Sequence, residues 1–163
     1  MENIEVFKKI PLFNGLTNTE LIKVSNLTQK VSFNMGDTVF KQGDTGDALY
    51  LIRSGEIEVL VAKGISEEGE EQEMTCVAVL GPGELFGEMA LVEKEPRSAT
   101  ILAKADTKLL RIKENYFQEL MNNDNAIALK IYRRLTTILS HRLRDTTERL
   151  TIANSIIHLA SQK

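Results

Sequence analysis

The sequence is poorest in the residues that staple a fold, hold a metal or cross a membrane. Of its 163 residues one is cysteine and two are histidine. The lone Cys76 excludes an internal disulfide, which fits a reducing cytoplasm. Its place in the apolar run Cys76-Val77-Ala78-Val79-Leu80 predicts a buried structural thiol rather than a nucleophile. His141 and His158 are too few for a histidine-rich metal centre, and both fall late in the chain, away from any Ser-His-Asp arrangement. No apolar run reaches the roughly 18 residues a membrane helix needs. The acidic start Met1-Glu2-Asn3-Ile4-Glu5 lacks the basic and apolar regions of a secretory signal. These absences predict a cytoplasmic chain with no catalytic residues, no metal, no cofactor and no membrane partner.

Positive charge is scarce over most of the length. Residues 125–163 carry seven Lys or Arg against two Asp or Glu, which leaves 13 against 21 for residues 1–124. So acidic a body argues against nucleic acid as its partner. The basic tail reads first as a solvated helix face, with DNA, lipid or an acidic protein as the other readings.

What is present is punctuation. From Lys30 onward, short runs of Val, Ile, Leu, Phe and Tyr alternate with turns at Gly36-Asp37, Gly43-Asp44, Gly46-Asp47 and Gly55, the spacing of an all-β barrel, roll or sandwich. Strands are predicted over 30–34, 38–41, 48–53, 56–62, 73–80, 98–104 and 107–112. The segment Lys63 to Glu73, with two glycines and five glutamates, reads as a long acidic hairpin loop. Before the strands, Glu2 to Ile10 predicts a short helix stopped by Pro11. The capping box Thr17-Asn18-Thr19-Glu20 predicts another over 18–27. After them, a short helix fits Asn115 to Met121 and breaks at Asn122-Asn123-Asp124.

From Asn125 to Ser161 no glycine or proline interrupts the chain, which allows one helix of some 37 residues, roughly 55 Å long. Its seam of Tyr132, Leu135, Leu139, Leu143, Thr146, Leu150, Ala153, Ile157 and Ala160 steps by three or four, as in a coiled coil. A stripe that long exceeds what a small β-domain can cover, so pairing with a second copy in a two-fold homodimer is expected. Folding back on its own domain is the alternative. The expected division is therefore 1–124, a β-domain with N-terminal helices, and 125–163, a dimerisation and output helix.

The stretch Gly81 to Thr100 concentrates chemistry. Its glycines allow backbone to approach a ligand, the turn after Phe86 can start a helix facing an anion, and Arg97 offers a planar fork to phosphate. Glu88 repels phosphate but suits a sugar hydroxyl, so the pair predicts one ligand with both groups. An ion pair of Arg97 with Glu88, Glu93 or Glu95 is the alternative use of that arginine.

The ordered set Gly36-Asp37, Gly43-Asp44, Tyr50, Ile52, Gly55, then Phe86-Gly87-Glu88-Met89-Ala90-Leu91 and Pro96-Arg97-Ser98-Ala99-Thr100, resembles the cyclic-nucleotide-binding domain of the catabolite activator (cAMP receptor protein) family. The resemblance runs from about Leu12 to Leu159 and implies a mainly β fold: an antiparallel β-roll of the jelly-roll type, with short N-terminal helices and a long C-terminal dimerisation helix. It implies a cyclic AMP receptor in which Gly87 and Glu88, with Met89 and Ala90 beside them, meet the ribose and Arg97 and Ser98 the cyclic phosphate. Thr146 and Thr147, which match base contacts on that family's long helix, would face the adenine. Cyclic GMP and cyclic di-GMP are the alternative effectors, and a ligand-independent dimeric interaction module is the alternative class. The family's activators continue into a helix-turn-helix domain that does not fit these residues, so the resemblance implies no direct sequence-specific DNA binding by them. Output through an unknown protein partner, or through a longer regulator of which this is the sensory part, is expected.

Overall fold

Local turn chemistry sets the strand boundaries. In the computed structural model, which describes residues 4–62, 73–89 and 95–161, the Gly36-Asp37 and Gly43-Asp44 turns are each closed by their own aspartate. Asp37 Oδ2 accepts from the Asn34 N–H at 2.7 Å and Asp44 Oδ2 from the Lys41 N–H at 2.8 Å. Gly36 and Gly43, at φ 89° and 88°, take the left-handed conformation the reversal needs. Between such turns run β1 (Thr28–Phe33), β2 (Thr38–Phe40), β3 (Ala48–Ser54), β4 (Ile57–Ala62), β5 (Met74–Leu80), β6 (Leu85–Phe86), β7 (Thr100–Ala103) and β8 (Thr107–Lys113). They form two antiparallel four-stranded sheets, ordered β1-β8-β3-β6 and β2-β7-β4-β5.

Strand β3 is central, and its alternation divides the core in two. Ala48, Tyr50 and Ile52 face the second sheet, with Ile57, Phe86, Ile101 and Leu109. Leu49 and Leu51 face the other way, onto a helical layer. That layer comprises α1 (Ile4–Lys8), a 3₁₀ turn (Pro11–Phe13), α2 (Asn18–Asn26), α3 (Glu114–Asn123) and α4 (Asn125–Ala160). Thr17 and Glu20 form the expected capping box at the start of α2, and Asp124, read as a breaker, caps α4 by accepting from the Ile127 N–H. The first turns of α4 bury Ile127, Ala128, Ile131 and Leu135 in the domain core, and further along the helix Arg149 donates through Nη1 to the Val77 carbonyl of β5 at 3.1 Å.

The fold class is the expected one, with differences of detail. Strand β6 was not foreseen, being two residues inside a glycine-rich stretch. The first helix ends at Lys8 and not at Ile10, and Pro11 opens a 3₁₀ turn instead of merely ending a helix. Cys76 is exposed, not buried: β5 is an edge strand, paired with β4 alone, so its apolar run is only partly covered. Strands β4 and β5 pair with Ala62 opposite Met74, as hairpin strands do, while the acidic segment 63–72 lies outside the described residues.

Candidate ligand-binding site

Arg97 lies inside the roll, 5% exposed. The Gly43-Asp44 turn places it: the Arg97 N–H donates to the Asp44 carbonyl at 2.8 Å, and the Gly43 N–H donates to the Arg97 carbonyl at 2.9 Å. Its guanidinium donates through Nη1 to the Gly87 carbonyl (3.0 Å) and through Nη2 to the Ala48 carbonyl (2.8 Å). It also stacks over Phe40, with Cζ 4.1 Å from the ring centroid. Phe40 in turn packs against Tyr50 and Phe86, which stack at 5.1 Å. Nε is buried with no hydrogen-bond partner. Burial lowers the Arg97 pKa, yet a guanidinium stays charged at any ordinary pH.

A cation held by two carbonyls and a ring, with its Nε–H unspent, is incompletely compensated. Among the described residues Arg97 makes no ion pair, so the Glu88 and Glu95 alternatives do not occur; Glu93 lies outside the described residues. The chemistry left open is reception of an anion.

Gly87 makes the approach of this fork possible. It sits at φ 77°, and a Cβ there would lie 2.7 Å from Arg97 Nη1 and 3.2 Å from the Ala48 carbonyl oxygen. Beside it Glu88, 6% exposed, accepts through Oε1 from Nη1 of Arg142 at 2.9 Å. Arg142 also donates through Nη2 to the Leu85 carbonyl. One arginine of α4 thus grips both the acid and the strand that precedes it.

Sequence reasoning missed Arg142. The available signal was its place one helical turn before Thr146, but an arginine on a basic helix reads as a solvated charge.

The remaining predicted residues are placed less tightly. Ser98 is exposed, its Oγ 3.5 Å from the sulfur of Met89, itself 46% exposed. Ala90 lies outside the described residues, as does most of the helix expected after Phe86. Thr146 and Thr147 are exposed and donate to the carbonyls of Arg142 and Leu143, 2.8 Å each, within their own helix. The structure therefore brings Gly87, Glu88 and Arg97 together and leaves the hydroxyls of the two threonines, one turn past Arg142, bonded within their own helix. A cavity of about 170 Å³ opens behind Glu88, bounded by Leu12, Leu85, Phe117, Tyr132 and Leu135. Among the described residues no cluster of His, Cys, Asp and Glu could hold a metal, and no helix is long and apolar enough to cross a membrane.

Comparison with known proteins agrees with this geometry. Residues 30–124 match the family model of the cyclic nucleotide-binding domain. The cyclic AMP receptor protein of Thermus thermophilus is 36% identical over 138 residues, 85% of this chain and 59% of that protein. A cAMP-dependent protein kinase regulatory subunit of Blastocladiella emersonii is 35% identical over 114 residues, 70% of this chain and 27% of that one. The chain thus spans less than two thirds of the length of either relative. The crystal structure of the Thermus thermophilus catabolite activator protein superposes with a TM-score of 0.72 at 33% identity, covering 88% of this chain and 63% of that one. With the matched model covering the roll, and with Gly87, Glu88 and Arg97 gathered at one site within it, the chain belongs to the cyclic nucleotide-binding domain family.

Proposed function

We propose that this domain is a cyclic AMP receptor whose occupancy sets the arrangement of α4 in a homodimer, with output through a partner protein. The observation that carries the reading is Arg97: a buried cation with an unspent Nε donor and no ion pair among the described residues. A cyclic phosphodiester keeps one negative charge at any ordinary pH, and a charge-assisted bond to it contributes about 1.5–3 kcal/mol. Glu88, held through one oxygen by Arg142, turns its other oxygen to a ribose hydroxyl, and Ser98 adds a hydroxyl beside the phosphate. Cyclic AMP is preferred because the similar proteins are named for it.

Coupling follows from the same contact. The acid that receives the sugar is wired to a helix residue 54 positions later, so sugar binding and helix position share one group. The cavity behind Glu88 gives α4 room for a second seating. A nucleotide that binds one seating better shifts the population towards it. Thr146 and Thr147 read the base, since a hydroxyl that donates along its helix still has lone pairs to accept with.

Titration calorimetry with cyclic AMP, cyclic GMP and cyclic di-GMP tests this. Cyclic AMP is expected to bind most tightly, and its margin over cyclic GMP is expected to shrink in Thr146→Ala or Thr147→Ala. Absence of heat with all three ligands refutes the receptor reading. A ratio unmoved by either substitution removes the threonines from base recognition.

A further inference from the structure

On the first sheet Arg111, Tyr50 and Phe86 are successive cross-strand neighbours in one row, and such residues share a face. Tyr50 and Phe86 belong to the aromatic cluster on which Arg97 rests. A second guanidinium therefore stands on the same face, one strand away from Tyr50. It is spent on Asp47: Nη2 of Arg111 lies 2.6 Å from Asp47 Oδ2. Its Nε is buried without a partner.

Asp47 immediately precedes Ala48, whose carbonyl receives Nη2 of Arg97. It is thus a carboxylate beside a buried arginine, yet bound to a different one. Burial pushes the Tyr50 hydroxyl up, opposed by the cations of Arg111 and Arg97, and Asp47 stabilises the charge of Arg97 while Arg111 opposes it. All four groups feel one another.

We infer that Arg111 is a positioning residue for phosphate recognition: by holding the Asp47 carboxylate it keeps that carboxylate from closing on Arg97 as an internal counter-ion. The inference rests on the nucleotide-receptor reading. Released from Arg111, Asp47 is an anion one residue before the Ala48 carbonyl that already holds Arg97, and it competes with the phosphodiester for the same donors. The cost of removing Arg111 is then a cost of competition, and it disappears when the competitor is removed as well.

The experiment is a double-mutant cycle on the full chain, read as cyclic AMP affinity by calorimetry. Arg111→Ala is expected to weaken binding about tenfold. Asp47→Asn alone is expected to stay within about threefold of wild type, because its carboxylate is already engaged. The double variant is expected to recover to within about threefold of wild type. If the double variant binds as poorly as Arg111→Ala, the pair is only a strut and the inference fails. It fails equally if Arg111→Ala binds as wild type does. Where Arg111→Ala does not fold, Arg111→Gln takes its place with the same expectations. Wild-type protein that binds no cyclic AMP overturns the receptor reading and this inference with it, an outcome distinct from failed recovery in a binding-competent protein.

Discussion

At the scale of single residues, the site depends on how closely a flat cation can approach bare backbone. Arg97→Ala removes the buried cation matched to a phosphodiester and is expected to weaken cyclic AMP binding at least tenfold, about 1.4 kcal/mol or more. Arg97→Lys is expected to rescue little, because an ammonium cannot serve two carbonyls and a phosphate from one plane. Unchanged affinity in a calorimetric titration of Arg97→Ala would place the phosphate elsewhere. Two glycines separate site from scaffold. A Cβ on Gly87 would strain a backbone at φ 77° and meet the end of the Arg97 side chain, which can yield, and the Ala48 carbonyl oxygen at 3.2 Å, so Gly87→Ala is expected to lower affinity and to cost less stability than the same change at Gly55. A Cβ on Gly55, at φ 89°, would lie 2.4 Å from Thr107 Oγ1 and 2.5 Å from the Asp106 carbonyl oxygen. Gly55→Ala is therefore expected to destabilise the fold by about 2 kcal/mol or more, read by chemical denaturation. Equal stability losses in the two variants would contradict the distinction.

At the scale of elements, the start of α4 is pinned to α2 by two ion pairs, Lys130 to Glu20 and Lys23 to Asp124, each at 2.7 Å. The Lys130 ammonium, with the Thr17 N–H, holds the Glu20 carboxyl below its usual 4.5. The Lys23 ammonium and the Ile127 N–H lower Asp124. Both groups titrate lower folded than unfolded, so their contribution is complete above the unfolded values and is lost as the pH falls through the folded ones. Stability is therefore expected to decline below about pH 4.5, and Glu20→Gln is expected to flatten that decline. Denaturation midpoints between pH 6 and 3 that fall equally steeply in both proteins would show that Glu20 is not its source. The elements themselves were legible wherever the cause was local: glycine φ, aspartate turn bonds and the Thr17-Glu20 capping box all act within three residues. Cys76 was misread because an edge position belongs to the sheet and not to the strand. Arg142 escaped notice because its partner Glu88 is 54 residues away, and periodicity carries no trace of such a pairing.

At the scale of the whole molecule, α4 presents more apolar surface than one roll can cover. Leu135 is buried, but Leu143, Leu150 and Ile157 of the same seam are 69%, 60% and 65% exposed. Single exposed leucines are ordinary on a protein surface, whereas a repeating row of them along several helical turns is a packing face. The charges beside the row favour one kind of cover, because Arg144, Asp145, Glu148 and Arg149 supply both signs, so that basic residues of one copy can pair with acidic residues of another across a two-fold axis. A dimer is accordingly expected in sedimentation at micromolar concentration. Leu143→Asp with Leu150→Asp is expected to shift it to monomer while the roll keeps its denaturation midpoint, since neither side chain belongs to either core cluster. Linkage makes the test sharper. If nucleotide favours the paired arrangement of α4, dimerisation must strengthen nucleotide binding by the same factor that nucleotide strengthens dimerisation. The monomeric variant should then bind cyclic AMP more weakly although Arg97, Glu88 and Arg142 are untouched. A monomeric variant with wild-type affinity would mean that the helices pair without sensing the pocket, and a wild-type monomer at micromolar concentration would mean that they do not pair at all.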